Sequence, residues 1–265
     1  MHQFRIASLS ERELFYKREF STSSVNKWIK NSGGYPQFYV IDAGTETEII
    51  KDKSRLKKLI IFTPGISLGD LREKLIRHIP EDVYMDRNIY KNPQDTYKKM
   101  VFHRAFGTES CLRQMLAFDI DSGNIKCTKC RGKNFLYFCQ DCFRRTTQMA
   151  EQAYYFLKKS FAKIECVYSG RGFHLYVLDK RAYFLTVSQR QRLNKKMLKY
   201  AIDPWVSRGY IRLMRLPYTL NSIVSRIAIP LQINEVKGFN PATYMEAIPN
   251  FVLRNPAYSD SSSFS

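Results

Sequence analysis

Two aspartates, Asp119 and Asp121, stand two residues apart in the run Leu116-Ala117-Phe118-Asp119-Ile120-Asp121. On a strand, positions i and i+2 point the same way, so both carboxylates emerge from one face while Leu116, Phe118 and Ile120 bury the other. Two anions this close repel, and a divalent cation relieves the repulsion. Carboxylates are the hard oxygen ligands that Mg²⁺ and Mn²⁺ take in nucleotidyl-transfer sites. A solvated strand end also carries such pairs, so Asp-x-Asp alone names no chemistry.

The cysteines speak more specifically. Cys127-x2-Cys130 is followed, after eight residues, by Cys139-x2-Cys142. A pair spaced by two brings both thiolates to one ion, and two pairs complete a tetrahedral Zn²⁺ shell. Such a closed shell has no open position for water, so the zinc is expected to hold structure and to do no chemistry. Disulfides are the alternative and need an oxidising compartment. Cys111 and Cys166 lie among apolar residues and are expected in the core.

The segment Ser169-Gly170-Arg171-Gly172-Phe173-His174 puts a hydroxyl, a guanidinium and an imidazole around two glycines. Glycines let a backbone approach phosphate closely, and the three side chains bind anions; a plain hairpin turn is the alternative. Farther on, Ile202-Asp203-Pro204 precedes Arg212-Leu213-Met214-Arg215-Leu216-Pro217. Asp203, just past a helix, could add a third metal carboxylate, and Arg215, on a strand, another phosphate clamp.

The elements that position these groups follow from periodicity. Ser10-Glu11-Arg12-Glu13 reads as a capping box opening a helix over 11–20, and Leu68, Leu71, Leu75, Ile76 and Ile79 predict another before Pro80. Strands are expected between Asn31 and Pro64, ending in Leu59 to Phe62, with irregular surface from Pro80 to Arg104. A strand from Leu112 to Asp121 then carries the acids. Met149, Ala153, Leu157 and Phe161 predict a helix capped by Thr146 or Thr147, and the strands 164–168 and 173–178 form a hairpin around the glycine turn. Ser188-Gln189-Arg190-Gln191 opens a basic helix with Leu193, Met197 and Ala201 inward, and 211–216 and 227–233 read as short strands. Helices alternating with short strands, some in hairpins, indicate an α/β or α+β fold with a mixed sheet.

Lys and Arg number 43 against 24 Asp and Glu among 265 residues, a formal net charge of +19. So large an excess points to a polyanion such as nucleic acid and away from a small neutral metabolite. No apolar run approaches a membrane span and the amino end lacks the apolar stretch of a signal peptide, so the chain is expected inside the cell.

Taken in order, Leu-Ala-Phe-Asp-Ile-Asp, a cysteine knuckle, Ser-Gly-Arg-Gly-Phe-His and Ile-Asp-Pro…Arg-Leu-Met-Arg-Leu-Pro resemble the catalytic small subunit of archaeal and eukaryotic DNA primase. The likeness spans roughly 112–221, and Tyr84 to Pro93 also resembles the segment ahead of the family's first acids. The resemblance implies a primase-type catalytic domain over 1–250, its mixed sheet including an RNA-recognition-like half. A small zinc module is inserted at about 122–145, and 251–265 form a flexible tail. It implies that Asp119, Asp121 and Asp203 hold Mg²⁺ or Mn²⁺, that Ser169, Arg171, His174 and Arg215 hold the incoming triphosphate, and that Cys127, Cys130, Cys139 and Cys142 hold Zn²⁺. The implied activity is a nucleotidyltransferase, a DNA-directed RNA polymerase making short primers on single-stranded DNA in replication by two-metal catalysis. Its substrates would be NTPs, with dNTPs left open, and its partner a primase large subunit in a heterodimer of the primosome. The implied location is cytoplasm and nucleoid, or the nucleus in a eukaryote, with no membrane partner.

Two departures stand out. The turn is one residue shorter than the Ser-Gly-Arg-Arg-Gly-x-His frequent in the family, and Thr219-Leu220-Asn221 stands where Ser-Leu-His is common, which leaves the phosphate geometry and one histidine contact open. The alternatives are a mobile-element primase-polymerase that extends with dNTPs without a large subunit, and a non-catalytic zinc-containing nucleic-acid-binding protein. End-joining polymerases share the acids and the Ser…His turn but lack a cysteine knuckle between them.

Overall fold

The computed structural model describes residues 4–43, 59–100, 102, 110–125, 127–130 and 139–254. In chain order its first elements are α1 (Leu9–Arg18), α2 (Thr22–Ser32), β1 (Tyr39–Asp42), β2 (Leu59–Ile61), α3 (Leu68–His78), β3 (Asp82–Asp86), β4 (Asn88–Tyr90) and α4 (Pro93–Lys99). There follow β5 (Cys111–Gln114), β6 (Leu116–Asp121), α5 (Gln140–Lys158), β7 (Ile164–Tyr168), β8 (Gly172–Val177), α6 (Val187–Met197) and α7 (Pro204–Arg208). The last are β9 (Leu213–Arg215), β10 (Leu220–Asn221), β11 (Arg226–Ile227), β12 (Ile229–Leu231), α8 (Ile233–Val236) and α9 (Asn250–Leu253).

Helix starts fall where a hydroxyl or carboxylate can take a free amide. Two capping boxes close two residues upstream of the expected ones: Ser8 with Glu11 at α1, and Thr186 with Gln189 at α6. At α1 the reason is Arg5, whose guanidinium grips Glu11 at 2.6 and 2.8 Å and holds it at the third helical position. Helix α5 starts at Gln140, ahead of the expected threonines. Thr146 and Thr147 lie buried inside it, their hydroxyls donating to the carbonyls of Cys142 (2.8 Å) and Arg144 (2.7 Å). Helix α3 begins and ends as its apolar spacing predicts, capped by Ser67.

Two corrections concern strands. The stretch from Pro80 to Arg104, expected to be irregular surface, contains β3, β4 and α4. Its polar residues are internal because they pair: Asp82, Asp86, Arg87 and Asn88 are buried and hydrogen-bonded. The run Leu112 to Asp121 is two strands in two sheets, broken at Gln114 and Met115. Two buried arginines take the carbonyls at that break, Arg87 binding Met115 O at 2.7 Å and Arg190 binding Gln114 O.

Two four-stranded sheets form the body, in the orders β2-β1-β3-β9 and β12-β7-β8-β6, with β4-β5 and β10-β11 as small ribbons. The α+β class stands, but the sheets are not mixed, since every pairing among the described strands is antiparallel. Strands β6 and β7 run the same way through the crossover helix α5, and β8 inserts between them, a split βαβ unit in which both neighbours of β8 oppose it. One face of this sheet buries Leu116, Phe118 and Ile120 under Ala150, Ala153 and Leu157 of α5. Its other face packs Ala117, Val167 and Tyr176 against Ile41, Val83 and Met214 of the first sheet. Cys111 and Cys166 are core residues as expected.

At the carboxyl end, Phe251 and Val252, expected in the flexible tail, are buried in α9, where the Arg5 guanidinium lies 5.5 Å from the Phe251 ring centroid. The rest of that tail, 255–265, lies outside the described residues.

Gly172 shows how tightly β6 and β8 approach: a Cβ there would lie 2.1 Å from the carbonyl oxygen of Ile120 and 2.9 Å from Cα of Asp121. Backbone cannot step aside as a side-chain tip can. Gly172→Ala should therefore lower unfolding stability by about 1–3 kcal/mol in denaturant titrations. Gly238→Ala, with open space around the added carbon, should change it by less than about 0.5 kcal/mol.

Candidate active site and metal centre

Strand alternation projects Asp119 and Asp121 from the same face of β6, and the antiparallel ladder sets Asp119 opposite His174 and Asp121 opposite Gly172 of β8. Asp203 arrives on the other side of β6. Ile202 bridges Ile120, and Asp203 N–H donates to Asp119 O at 2.8 Å, so Asp203 is the cross-strand partner of Asp119. A separation of more than eighty residues in sequence thus closes to one residue step in space. The three acids are half-buried, at the rim where the two sheets meet.

Each acid is already held. One oxygen of Asp121 accepts from Gly123 N–H (2.6 Å) and from the Arg171 guanidinium (2.9 Å). Asp203 caps α7 through Trp205 N–H at 2.8 Å. His174 Nε2 lies 3.6 Å from Asp119 Oδ1. Among the described residues, the oxygens of the three acids are not gathered within 4.8 Å of one another as the four cysteine sulfurs are.

The histidine is oriented from behind. Tyr176 donates its single hydroxyl proton to the carbonyl of Arg215 at 3.1 Å, so its oxygen accepts from His174 Nδ1–H at 3.1 Å. The Nε2 edge is left facing Asp119. Burial, reinforced by the charges of Arg215 and Arg87, lowers the His174 pKa to about 3, so the ring is neutral near pH 7.

The glycine turn is a tight hairpin closed by Ser169 N–H on Gly172 O at 3.0 Å. Gly170 adopts φ +119°, a left-handed conformation, and a Cβ there would lie 2.3 Å from Asn221 Nδ2. Asn221 donates that Nδ2–H to Ser169 O at 2.9 Å. The residue standing in place of a histidine thus supports the turn from beneath. Ser169 is buried, while Arg171 reaches forward to Asp121.

Arg215 is placed differently from Arg171 and His174. Its Nη1 forms a buried ion pair with Asp82 at 2.5 Å and also donates to Leu220 O at 3.2 Å. Burial works against the charge, but Asp82 outweighs it and holds the Arg215 pKa above the ordinary arginine value. Asp82 also accepts from the Tyr84 hydroxyl at 2.9 Å. Asp82 and Tyr176 carry no signal in the sequence: Asp82 falls in the stretch expected to be irregular surface and Tyr176 on an ordinary strand, and only the pairing of β3 with β9 and of β6 with β8 reveals them. Trp205, 57% exposed beside Asp203 and edge-on to Tyr210 at 5.4 Å, likewise carries no signal in the sequence.

The cysteines converge. The Sγ atoms of Cys127, Cys130, Cys139 and Cys142 all lie within 4.8 Å of one another, with Cys130 and Cys142 at 3.5 Å. Four thiolates at about 2.3 Å from one ion stand roughly 3.8 Å apart, so this donor set fits a tetrahedral metal such as zinc. Cys139 is the N-cap of α5 and Cys142 lies in its first turn, so the second pair belongs to the helix that covers the acid-bearing sheet. Residues 126 and 131–138, within the expected module, lie outside the described residues.

No family model matches the chain. It is 34% identical over 271 residues to an uncharacterized DNA primase small subunit-like protein of Archaeoglobus fulgidus, covering 98% of this chain and 96% of that one. It is 28% identical to the DNA primase small subunit PriS of Thermococcus kodakarensis over 69% of this chain and 47% of that protein. With PriS of Pyrococcus furiosus the identity is 24%, over 71% and 48% of the two chains. The match thus spans about half the length of these PriS proteins. In fold the chain is similar to the polymerase domain of Mycobacterium tuberculosis Ligase D, solved in complex with DNA: the TM-score is 0.51 at 12% identity, over 95% of this chain and 94% of that one.

The Arg215–Asp82 pair is internal, and removing one member strands the other charge. Asp82→Ala should cost about 3–5 kcal/mol of unfolding stability, whereas Asp82→Ala combined with Arg215→Met should recover much of it. A double-mutant cycle by urea denaturation measures both.

Proposed function

The chain belongs to the DNA primase small-subunit family, and on that premise we propose that it is a template-directed nucleotidyltransferase that builds short primers on single-stranded DNA. The observation that carries the reading is the placement of Asp119, Asp121 and Asp203 around one point of β6, with the glycine turn and His174 on the neighbouring strand. Carboxylates on one side and anion-binding groups on the other match a reaction whose reactants are a hydroxyl and a triphosphate.

In this proposal the three aspartates hold Mg²⁺ or Mn²⁺, which would supply activation of the attacking hydroxyl and charge neutralisation at the leaving pyrophosphate. The glycine turn, packed through Gly170 on Asn221 and through Gly172 on Ile120, carries Arg171 toward the acids, and Ser169 opens it. Arg171, paired with Asp121, can exchange that carboxylate for a phosphate oxygen; the pair is more than a quarter exposed on each side, so the exchange costs little. His174, positioned by Tyr176, lines the phosphate side of the acids. Arg215 acts from behind it as a fixed positive charge, its guanidinium committed to Asp82.

The four cysteines hold one Zn²⁺ that fixes the start of α5 and, through it, the sheet bearing the acids. Single-stranded DNA follows the basic surface, with NTPs as substrates and dNTPs to be tested beside them. A primase large subunit is the expected partner for starting primers. The described residues include no helix long and apolar enough to cross a membrane.

Two measurements test the reading. Asp119→Asn, Asp121→Asn and Asp203→Asn should each reduce Mg²⁺- or Mn²⁺-dependent primer synthesis on single-stranded DNA by roughly a hundredfold or more, with unchanged thermal unfolding. Normal synthesis by a folded Asp119→Asn, Asp121→Asn double variant would take these acids out of the reaction, and absence of synthesis by the wild-type chain would leave a binding protein. Elemental analysis of protein purified without added metal should find about one zinc per chain, lost together with folding cooperativity on chelation.

A further inference from the structure

A cavity of about 640 Å³ opens at the end of the β6/β8 ladder away from the acids. Its wall includes Met115 and Leu178, which flank the Leu116–Val177 end of the ladder, whereas Asp121 and Gly172 close the other end. Five strand steps, about 17 Å, separate the two ends. The cavity therefore includes none of the three acids and no side chain of the glycine turn, while Arg87 in its wall also acts by charge on His174, and its volume suits a small organic group.

Its chemistry is of one kind. Trp28, Tyr35, Tyr183 and Phe184 line it, and two of these rings are exposed at the rim, Tyr35 by 54% and Phe184 by 66%. The guanidinium carbon of Arg113 lies over the Phe184 ring, 5.1 Å from its centroid. Lys163 and Lys180 add two exposed ammonium groups, the first anchored to the Asn31 carbonyl. The single carboxylate in the wall, Asp86, is buried and paired with Arg212, so it offers an incoming anion little repulsion. Flat rings for stacking, a guanidinium over one of them and a rim richer in cations than in carboxylates, with Lys163 partly offset by Glu165, suit a base with its phosphate.

We propose that this cavity is a second nucleic-acid subsite, which takes one base and its phosphate from a single strand whose path also crosses the acids. The inference rests on the nucleic-acid partner of the proposed function but not on its chemistry. Stacking supplies the grip, so the subsite tolerates any base. Binding should strengthen once an oligonucleotide is long enough to span both ends of the ladder.

Fluorescence anisotropy with labelled oligothymidylates of increasing length, on the full chain, tests this. Phe184→Ala and Arg113→Ala should each weaken binding of a twenty-nucleotide strand by about fivefold or more, and Arg113→Ala should lower the salt slope by about one. Phe184 is exposed and Arg113 half-buried, and matching thermal unfolding curves confirm that the variants fold. Unchanged affinity for both variants overturns the subsite, and loss of association with another polypeptide alongside it would give the surface to a protein partner. The catalytic reading fails separately: a wild-type chain that makes no primer, yet binds the strand in a Phe184-dependent way, keeps the subsite and loses the polymerase.

Discussion

The antiparallel ladder between β6 and β8 sets the spacing on which the candidate site depends. It pairs Asp119 with His174 and Asp121 with Gly172, so the acid strand and the anion-binding turn share one register. A slip of one residue would send both carboxylates to the face covered by α5. Gly172 holds the strands at a separation that no side chain permits, and its carbonyl closes the turn through Ser169 N–H. Asp203 then joins from the opposite edge through backbone contacts to Asp119 and Ile120, so its place also follows from where β6 lies.

Around that ladder the interior carries unusual charge. Arg12, Arg87, Arg190, Arg215 and Arg226 are all buried. Arg87 and Arg190 donate chiefly to main-chain carbonyls, and burial lowers their pKa values to about 10 and about 9, still well above neutrality. By binding the carbonyls of Met115 and Gln114 they end one strand and start the next, which turns β6 out of the β4-β5 ribbon and into the sheet with β8. The net charge of +19 is therefore not all available to a partner. Part of it is structural.

The zinc-competent cysteines and the acids are linked by the same logic. Cys139 and Cys142 begin the helix that covers Leu116, Phe118 and Ile120, so order at the thiol cluster is transmitted to the strand whose other face bears Asp119 and Asp121. The likeness to the Ligase D polymerase domain is one of fold, and the residues themselves carry the functional argument.

Local patterns were legible wherever a single element sufficed. Period-two alternation in 116–121 separates the acids from Leu116, Phe118 and Ile120, paired spacing marks the four cysteines, and apolar periodicity places α3, because strand pleat, thiol reach and helix pitch are properties of the chain itself. Helix starts were legible only to within two residues or more, since Arg5 selects Glu11 and the cysteine pair starts α5. What required the tertiary structure was every relation between elements: Asp203 against Asp119, Arg215 turned to Asp82, Asn221 beneath Gly170, and the buried order within 80–100. Sequence distance carries no record of which charge meets which. A buried ion pair or a cross-strand neighbour is chosen by strand order and burial, and those are decided only when the two sheets pack.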